Sequence, residues 1–250
     1  MSLTFGKGEP IAMLKCDKKN KLNKKIIKLS DDMKGDNIME FNDCEVNVLP
    51  SIKHVERFYI SGPSGSGKSF FISKWLKMNR KIYKGDYKKD IYMFSRIEYD
   101  KKLDDFNPIR VNLEDLLTDP MSAEELEGTI VIFDDIDSIS EPDVKNAVFS
   151  LRNDLLKCGR HFNITVLCTT HVLLNKNESR DCINESTSIV VFPRSGATYH
   201  IRELLKKYCG FEKNTIDHIM QIDTRWLCIR KLYPMCIIHE NGIFMANKKF

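Results

Sequence analysis

The sequence predicts an α/β domain: a mostly parallel central sheet with helices on both faces and small antiparallel additions at the termini. Three observations carry that expectation. Strand-length apolar runs alternate with segments of helical period between residues 55 and 210, the pattern of parallel strands joined by crossover helices. One of those runs, Thr129 to Phe133, is apolar throughout, as a strand covered on both faces must be. Beyond residue 225 the texture changes to short strands around Glu240-Asn241-Gly242, a hairpin turn signal.

Each element has its own justification. Residues 1–50 alternate short apolar clusters with lysine and asparagine, and are expected to form strands and turns flanking a core domain over 51–250 that ends in a β-hairpin. Val55 to Ser61 is the first core strand. A glycine-rich turn follows, then a helix from about Gly67 to Asn79 with Phe71, Ile72, Trp75 and Leu76 on one face. Ile91 to Ser95 is the second buried strand. Residues 96–127 are polar and loop-rich, with a short strand at Ile109 to Val111 and a helical turn at Leu113 to Leu117. Ser140-Glu141-Pro142-Asp143 reads as a helix start with Ser140 as N-cap. That helix is expected to bury Val144, Ala147, Val148, Leu151 and Leu155 and to stop at Gly159. Ile164 to Thr169 and Ser188 to Phe192 are the next strands, and helices follow around Ile201 to Tyr208 and Thr215 to Met220.

At 42% hydrophobic and 30% charged, the 250 residues have the balance of a soluble globular chain. No stretch reaches the ~18 apolar residues of a membrane span, and MSLTFGKGEP lacks the apolar run of a secretory signal. Eight cysteines are scattered without a CxxC pair, which argues against zinc and for free thiols in a reducing, intracellular compartment. The net charge is only +4, but the lysines cluster. Lys7, Lys15, Lys18, Lys19, Lys21, Lys24, Lys25 and Lys28 are set against Glu9 and Asp17 alone, and a second basic run covers Lys74 to Lys89. Phosphate backbones attract such patches, although solvated lysine faces account for them equally well.

The chemistry concentrates in Gly62-Pro63-Ser64-Gly65-Ser66-Gly67-Lys68-Ser69, a full GxxxxGK[ST] pattern between a strand and a helix. Glycines let successive backbone N–H groups turn inward around phosphate oxygens, and the helix N-terminus beyond favours an anion. Lys68 adds a point charge for the β- and γ-phosphates, and Ser69 a hydroxyl for Mg²⁺. At Gly65 either glycine or serine could serve. The apolar strand Thr129 to Phe133 ends in Asp134 and Asp135. A strand tip of a parallel sheet faces the ligand crevice, so Asp134 is placed to hold Mg²⁺ and Asp135 to orient or deprotonate the attacking water. Asp137 is expected to lie beyond the turn, away from the site. At the tip of the next strand, Thr170 and His171 are candidates to sense the γ-phosphate or position the water. Arg160, and Arg152 on the preceding helix, could reach a neighbouring subunit's site and stabilise transition-state charge.

With GPSGSGKS in place, the strand TIVIFDD and the segment LRNDLLKCGRHFNITVLCTTH make the chain resemble the DNA-packaging ATPases of nucleocytoplasmic large DNA viruses, the poxvirus type included. These belong to the FtsK/HerA group of P-loop NTPases, and the likeness covers about residues 55 to 195. It implies a RecA-like core with a strand inserted between the P-loop strand and the acidic strand. It implies a homo-oligomeric ring, a hexamer or pentamer, that uses ATP and Mg²⁺ to move double-stranded DNA into a capsid, with capsid or portal components as partners. The setting would be the host cytoplasm or the virion. Matched residue by residue, it places Lys68 and Ser69 at the phosphate and Mg²⁺ positions, Asp134 and Asp135 as the paired acids, and Arg160 as a candidate arginine finger. The chain departs from the family in three respects: His171 stands where glutamine is common, the second acid is Asp rather than Glu, and the chain is expected to be compact, without an appended DNA-orienting domain.

Two other classes fit the loop. A kinase acting on a small molecule or polynucleotide would use residues 174–187 as a lid. An ATP-binding switch for virion assembly would not require the acids.

Overall fold

The chain alternates between two apolar periods, and a computed structural model shows how they are used; it describes residues 1–32, 34–83, 85, 88–175 and 178–246. The first fifty residues supply β1 (Ser2–Thr4), β2 (Glu9–Cys16), β3 (Ile26–Ser30), β4 (Ile38–Glu40) and β5 (Cys44–Val48). Four of these make a small antiparallel sheet in the order β1-β3-β2-β5.

The large sheet is built from β4 and nine later strands: β6 (Arg57–Ser61), β7 (Ile91–Ser95), β8 (Ile109–Arg110), β9 (Ile130–Asp134), β10 (Thr165–Thr170), β11 (Ser188–Val191), β12 (Leu227–Arg230), β13 (Cys236–His239) and β14 (Gly242–Met245). Its order is β4-β14-β13-β12-β11-β6-β10-β9-β7-β8. Strands β11 to β8 in that order are parallel. The rest continue the β11 side as an antiparallel extension. Strand β10 lies between the P-loop strand β6 and the acidic strand β9, as the family resemblance implies.

Helices α1 (Lys68–Ile82), α2 (Lys101–Asp104), α3 (Pro142–Cys158), α4 (Arg180–Glu185), α5 (Thr198–Lys207) and α6 (Lys213–Gln221) cover the sheet. The period of two along each strand divides its side chains between two cores. Phe58 and Ile60 of β6, Ile130 and Ile132 of β9 and Leu167 of β10 pack with α1, α2 and the small sheet. Tyr59, Val131, Phe133, Val166 and Cys168 pack with α3 to α6. On the first face Trp75 of α1 meets Phe58 edge-on at 5.4 Å and Phe71 meets Trp226 at 5.2 Å. Burying each such ring contributes about 1.5–3 kcal/mol. This packing fixes the helix that follows the phosphate loop.

Two expectations are corrected. The N-cap of α3 is Glu141, with Pro142 at the first helical position, and the hydroxyl of Ser140 donates to Glu141 Oε1 instead of capping. As expected, α3 stops at Gly159, its C-cap; the chain goes on through a 3-10 turn, Gly159–Phe162, and reverses at Asn163 (φ +55°), because Asn tolerates the left-handed region. Second, Cys16 and Cys44, opposed in the β2–β5 register, form a disulfide. The cysteines are therefore not all free thiols, and their pattern does not argue for a reducing compartment; Cys158, Cys168, Cys182, Cys209, Cys228 and Cys236 are free. Among the described residues, no helix is long and apolar enough to cross a membrane.

Candidate nucleotide site

The site forms where β6, β9 and β10 end side by side. The loop Gly62–Ser69 leaves the tip of β6, and the Gly62 N–H donates to Thr170 O at 3.1 Å, which ties the loop to β10. A Cβ at Gly62 would lie 2.6 Å from Ser66 Oγ and 2.7 Å from Phe192 Cδ2, so the close approach of loop to sheet requires glycine. Gly65 has φ +75°, where serine would be strained, and this corrects the view that either residue could serve there. Chain direction then turns into α1, with Phe71 N–H donating to Gly67 O at 2.9 Å. Ser66 Oγ is buried and has no hydrogen-bond partner.

Lys68 is buried, 6% exposed. Its ammonium donates to Gly62 O at 3.0 Å, and lies 3.2 Å from Asp135 Oδ1 and 3.3 Å from His171 Nδ1. His171 Nε2 lies 3.0 Å from Asp135 Oδ2. One tautomer satisfies both contacts: Nδ1 accepts from the ammonium and Nε2–H donates to the carboxylate. Lys68, Asp135 and His171 thus close a polar triangle at the mouth of the glycine cradle.

Between the two acids stands Thr169. Its hydroxyl lies 2.9 Å from Asp134 Oδ1 and 2.9 Å from Asp135 Oδ1, and accepts from the Asp135 N–H at 2.8 Å. A hydroxyl carries one proton, so it serves one carboxylate at a time. Burial, and then the Asp135 charge, raise the Asp134 carboxyl to about 6. Asp135 itself takes a left-handed conformation, φ +47°. That turn starts the 3-10 segment Ile136–Ser138 and swings Asp137 back to the tip of β10. There Asp137 Oδ2 accepts from Thr170 Oγ1 at 2.9 Å and from the His171 N–H at 3.1 Å.

Asp137 therefore does not lie away from the site. Nor does Thr170 face the cradle: its hydroxyl is turned to Asp137, and Thr169 is the strand-tip threonine that meets the acids. The sequence signal for Thr169 is its place beside Thr170 and His171 at the strand tip, since alternation along β10 puts 169 and 170 on opposite sides. Ser69 stands half-buried in the first turn of α1. Asp135, Asp137 and His171 offer ligand atoms within 4.8 Å of one another, with the Lys68 ammonium beside them as counter-charge.

The structure does not bring the arginines to this site. Arg160 is exposed in the turn before β10, at the opposite end of that strand from His171. Arg152 is buried; its guanidinium stacks on Phe149 at 4.2 Å and donates to Asn153 Oδ1 and to Glu178 O. It lines a cavity of about 230 Å³ behind the strand tips, with Asp137, Thr170 and Cys182. The arrangement fits a polyphosphate with a divalent cation: a cradle that a Cβ would fill, an orphaned serine hydroxyl inside it, a buried ammonium, and two carboxylates opposite.

No family model matches the chain. Over 211 residues, 84% of either chain, it is 34% identical to an uncharacterised protein, V3, of Sputnik virophage. Among solved structures, the pCW3 conjugation coupling protein TcpA, in monomer form with ATPγS, superposes with a TM-score of 0.52 at 10% identity, over 92% of this chain and 76% of that one. The genome packaging NTPase B204 of Sulfolobus turreted icosahedral virus 2, solved with AMPPCP, gives 0.47 at 13% identity, over 78% of this chain and 98% of that one. With the strand order, the TcpA likeness shows a RecA-like P-loop NTPase fold.

Proposed function

The chain belongs to the family of Sputnik virophage protein V3, and on that premise we propose that it is an ATP-hydrolysing motor of the FtsK/HerA group that moves double-stranded DNA during viral genome packaging. The observation that carries the reading is the contact of Lys68 with Asp135 and His171 across the mouth of the glycine cradle. It sets the phosphate-binding cation and the candidate base at one point. The fold shared with TcpA, which was solved with ATPγS, supports ATP as the ligand. The segment LRNDLLKCGRHFNITVLCTTH, with its resemblance to viral packaging ATPases, supports the DNA cargo.

Bound as ATP with Mg²⁺, the ligand supplies a phosphoanhydride and a cation that neutralises charge developing on it. The loop N–H groups and the N-terminus of α1 hold the phosphates, and Lys68 adds its charge. Ser69 and Asp134 are the residues to hold the metal. Asp135, once Lys68 turns to phosphate, is left to orient a water and take its proton. His171 donates Nε2–H to Asp135 and keeps that carboxylate aimed. Thr169 fixes the spacing of the two acids. Arg160 belongs to this reading only as a group acting on a second copy in a ring, pentameric or hexameric, with capsid or portal components as further partners.

The kinase alternative is disfavoured by α4. Of the segment 174–187, residues 176 and 177 lie outside the described residues, and α4 within it packs Cys182 and Ile183 into the core against α3. The deciding measurement is steady-state ATP hydrolysis by the purified chain with and without duplex DNA. Stimulation by duplex is expected; equal rates in both conditions would remove the motor reading.

A further inference from the structure

A second feature of the molecule lies outside the nucleotide site. Along the solvent side of α1, between that helix and the small sheet, runs an open groove of about 1040 Å³. It is continuous with a neighbouring hollow of about 670 Å³, because Lys15, Asn47, Met78 and Lys81 line both. The walls are basic on every side: Lys74, Lys77, Arg80 and Lys81 from α1, Lys15, Lys18 and Lys24 from β2 and the turn after it, Lys102 from α2, and Arg225 before β12.

Three acids line the same walls, Glu45, Asp105 and Glu240. Two of them are already taken, Glu45 by Lys74 and Glu240 by Arg225. Among the described residues, Lys15, Lys77 and Lys81 have no carboxylate within ion-pair distance. At the end nearer the phosphate loop, three cations crowd one ring: Lys74, Lys102 and Arg225 lie 4.5, 5.3 and 5.7 Å from the centre of Phe70. Burial, and then the like charges of Arg225, Lys15 and Lys77, hold the Lys74 ammonium down to about 8. Lysines of the two basic runs, Lys15, Lys18 and Lys24 from the first and Lys74, Lys77 and Lys81 from the second, are thus folded into one strip whose positive charge the carboxylates lining it do not balance, while Lys89 turns away to Asn163.

We propose that this groove between α1 and the small sheet is a DNA-contacting surface that takes the phosphate backbone of the duplex. The inference rests on the motor reading above and adds where the duplex is held. Lys74, Lys77 and Lys81 recur at one helical turn, about 5 Å, and a duplex presents a phosphate roughly every 3.4 Å of axis on each strand. The row on α1 can therefore follow one strand, with the lysines of the small sheet as the opposite wall. Because the same helix begins at Lys68 and Ser69, a load on the groove bears on the element that holds the nucleotide.

The test is duplex binding by the full chain, read by fluorescence anisotropy across a salt titration, for wild type and for Lys77→Glu/Lys81→Glu. The variant should bind at least about tenfold more weakly, with its log-log salt slope smaller by roughly two. Its ATP hydrolysis without DNA should be unchanged, since both residues lie two turns or more from the phosphate loop. Lys15→Glu/Lys18→Glu, on the other wall, should give the same loss and guards against a folding defect in the first variant. If wild type binds duplex and both variants bind it with the same affinity and slope, the groove proposal is wrong and the motor reading stands. If wild type binds no duplex at low salt, the motor reading fails, and the groove with it.

Discussion

Glu56, the residue before the P-loop strand, gives a prediction whose size follows from the structure. It is buried at 5% exposure and accepts one backbone bond, from the Ser51 N–H at 3.1 Å to Oε2. Burial outweighs that bond and the nearby Arg230, and raises the carboxyl from 4.5 to about 8. The folded state thus holds a proton that the unfolded chain has lost by neutral pH. A folded pKa above the unfolded one means stability that is complete below about 4.5 and drains away as the pH climbs through about 8. Between about pH 6 and pH 9 the loss from this one group is roughly 2–3 kcal/mol, or some 4–12 °C in Tm for a chain of this size. Glu56→Gln keeps an acceptor for Ser51 and has no proton to lose, so its stability should fall less over that range by the same amount. Chemical denaturation at a series of pH values, wild type against variant, measures the difference directly. Parallel profiles, or a variant that weakens more at high pH, would mean that Arg230 keeps Glu56 ionised and that burial is not the dominant influence.

Three substitutions at the nucleotide site follow from the same coordinates. Thr169→Val removes the hydroxyl shared by Asp134 and Asp135; a bond to a charged group is worth about 1.5–3 kcal/mol, so kcat should fall roughly tenfold to a hundredfold while binding of a fluorescent ATP analogue is kept. Asp135→Asn should lower kcat by about 10²–10⁴, the usual worth of a positioned base, with the fold intact by circular dichroism. Gly62→Ala forces a methyl against Ser66 and Phe192; nucleotide affinity measured by calorimetry should drop, because the loop must move off the sheet to admit it.

The phosphate loop and the acidic strand were legible in the sequence because each is local: eight consecutive residues, and an apolar run with two acids at its tip. What surrounds them was not. Asp137 returns to the site only because Asp135 adopts a left-handed conformation, and nothing in the run FDDID announces that turn. The sequence points to Thr170, and only the pairing of β10 with β6 and β9 shows that Thr169 is the threonine that meets the acids. The Cys16–Cys44 disulfide depends on the register of β2 against β5 across 28 residues, a tertiary fact that scattered cysteines do not encode. The basic groove is of the same kind, since Lys15 and Lys81 become neighbours only when the small sheet settles on α1.

Arg160 shows how topology restricts a role that sequence leaves open. It sits in the turn before β10, beside Arg57, whose guanidinium burial, and then the charge of Arg160, hold below its ordinary range. Strand β10 then runs six residues to the nucleotide site, roughly 20 Å at the rise of a strand. The guanidinium therefore cannot serve its own chain's ATP, and any catalytic part must be played across a subunit boundary. Such a part makes a sharp prediction. Lys68→Ala lacks a working loop and Arg160→Ala a finger, and each alone should be inactive, the second by about 10³ if it matches known fingers. Mixed in equal amounts in a head-to-tail ring, roughly one interface in four pairs an intact loop with an intact arginine, so hydrolysis should recover towards a quarter of the wild-type rate. Full activity in Arg160→Ala, or no recovery on mixing subunits that demonstrably exchange, would leave Arg160 a surface residue and send the search for a finger elsewhere on the exposed face.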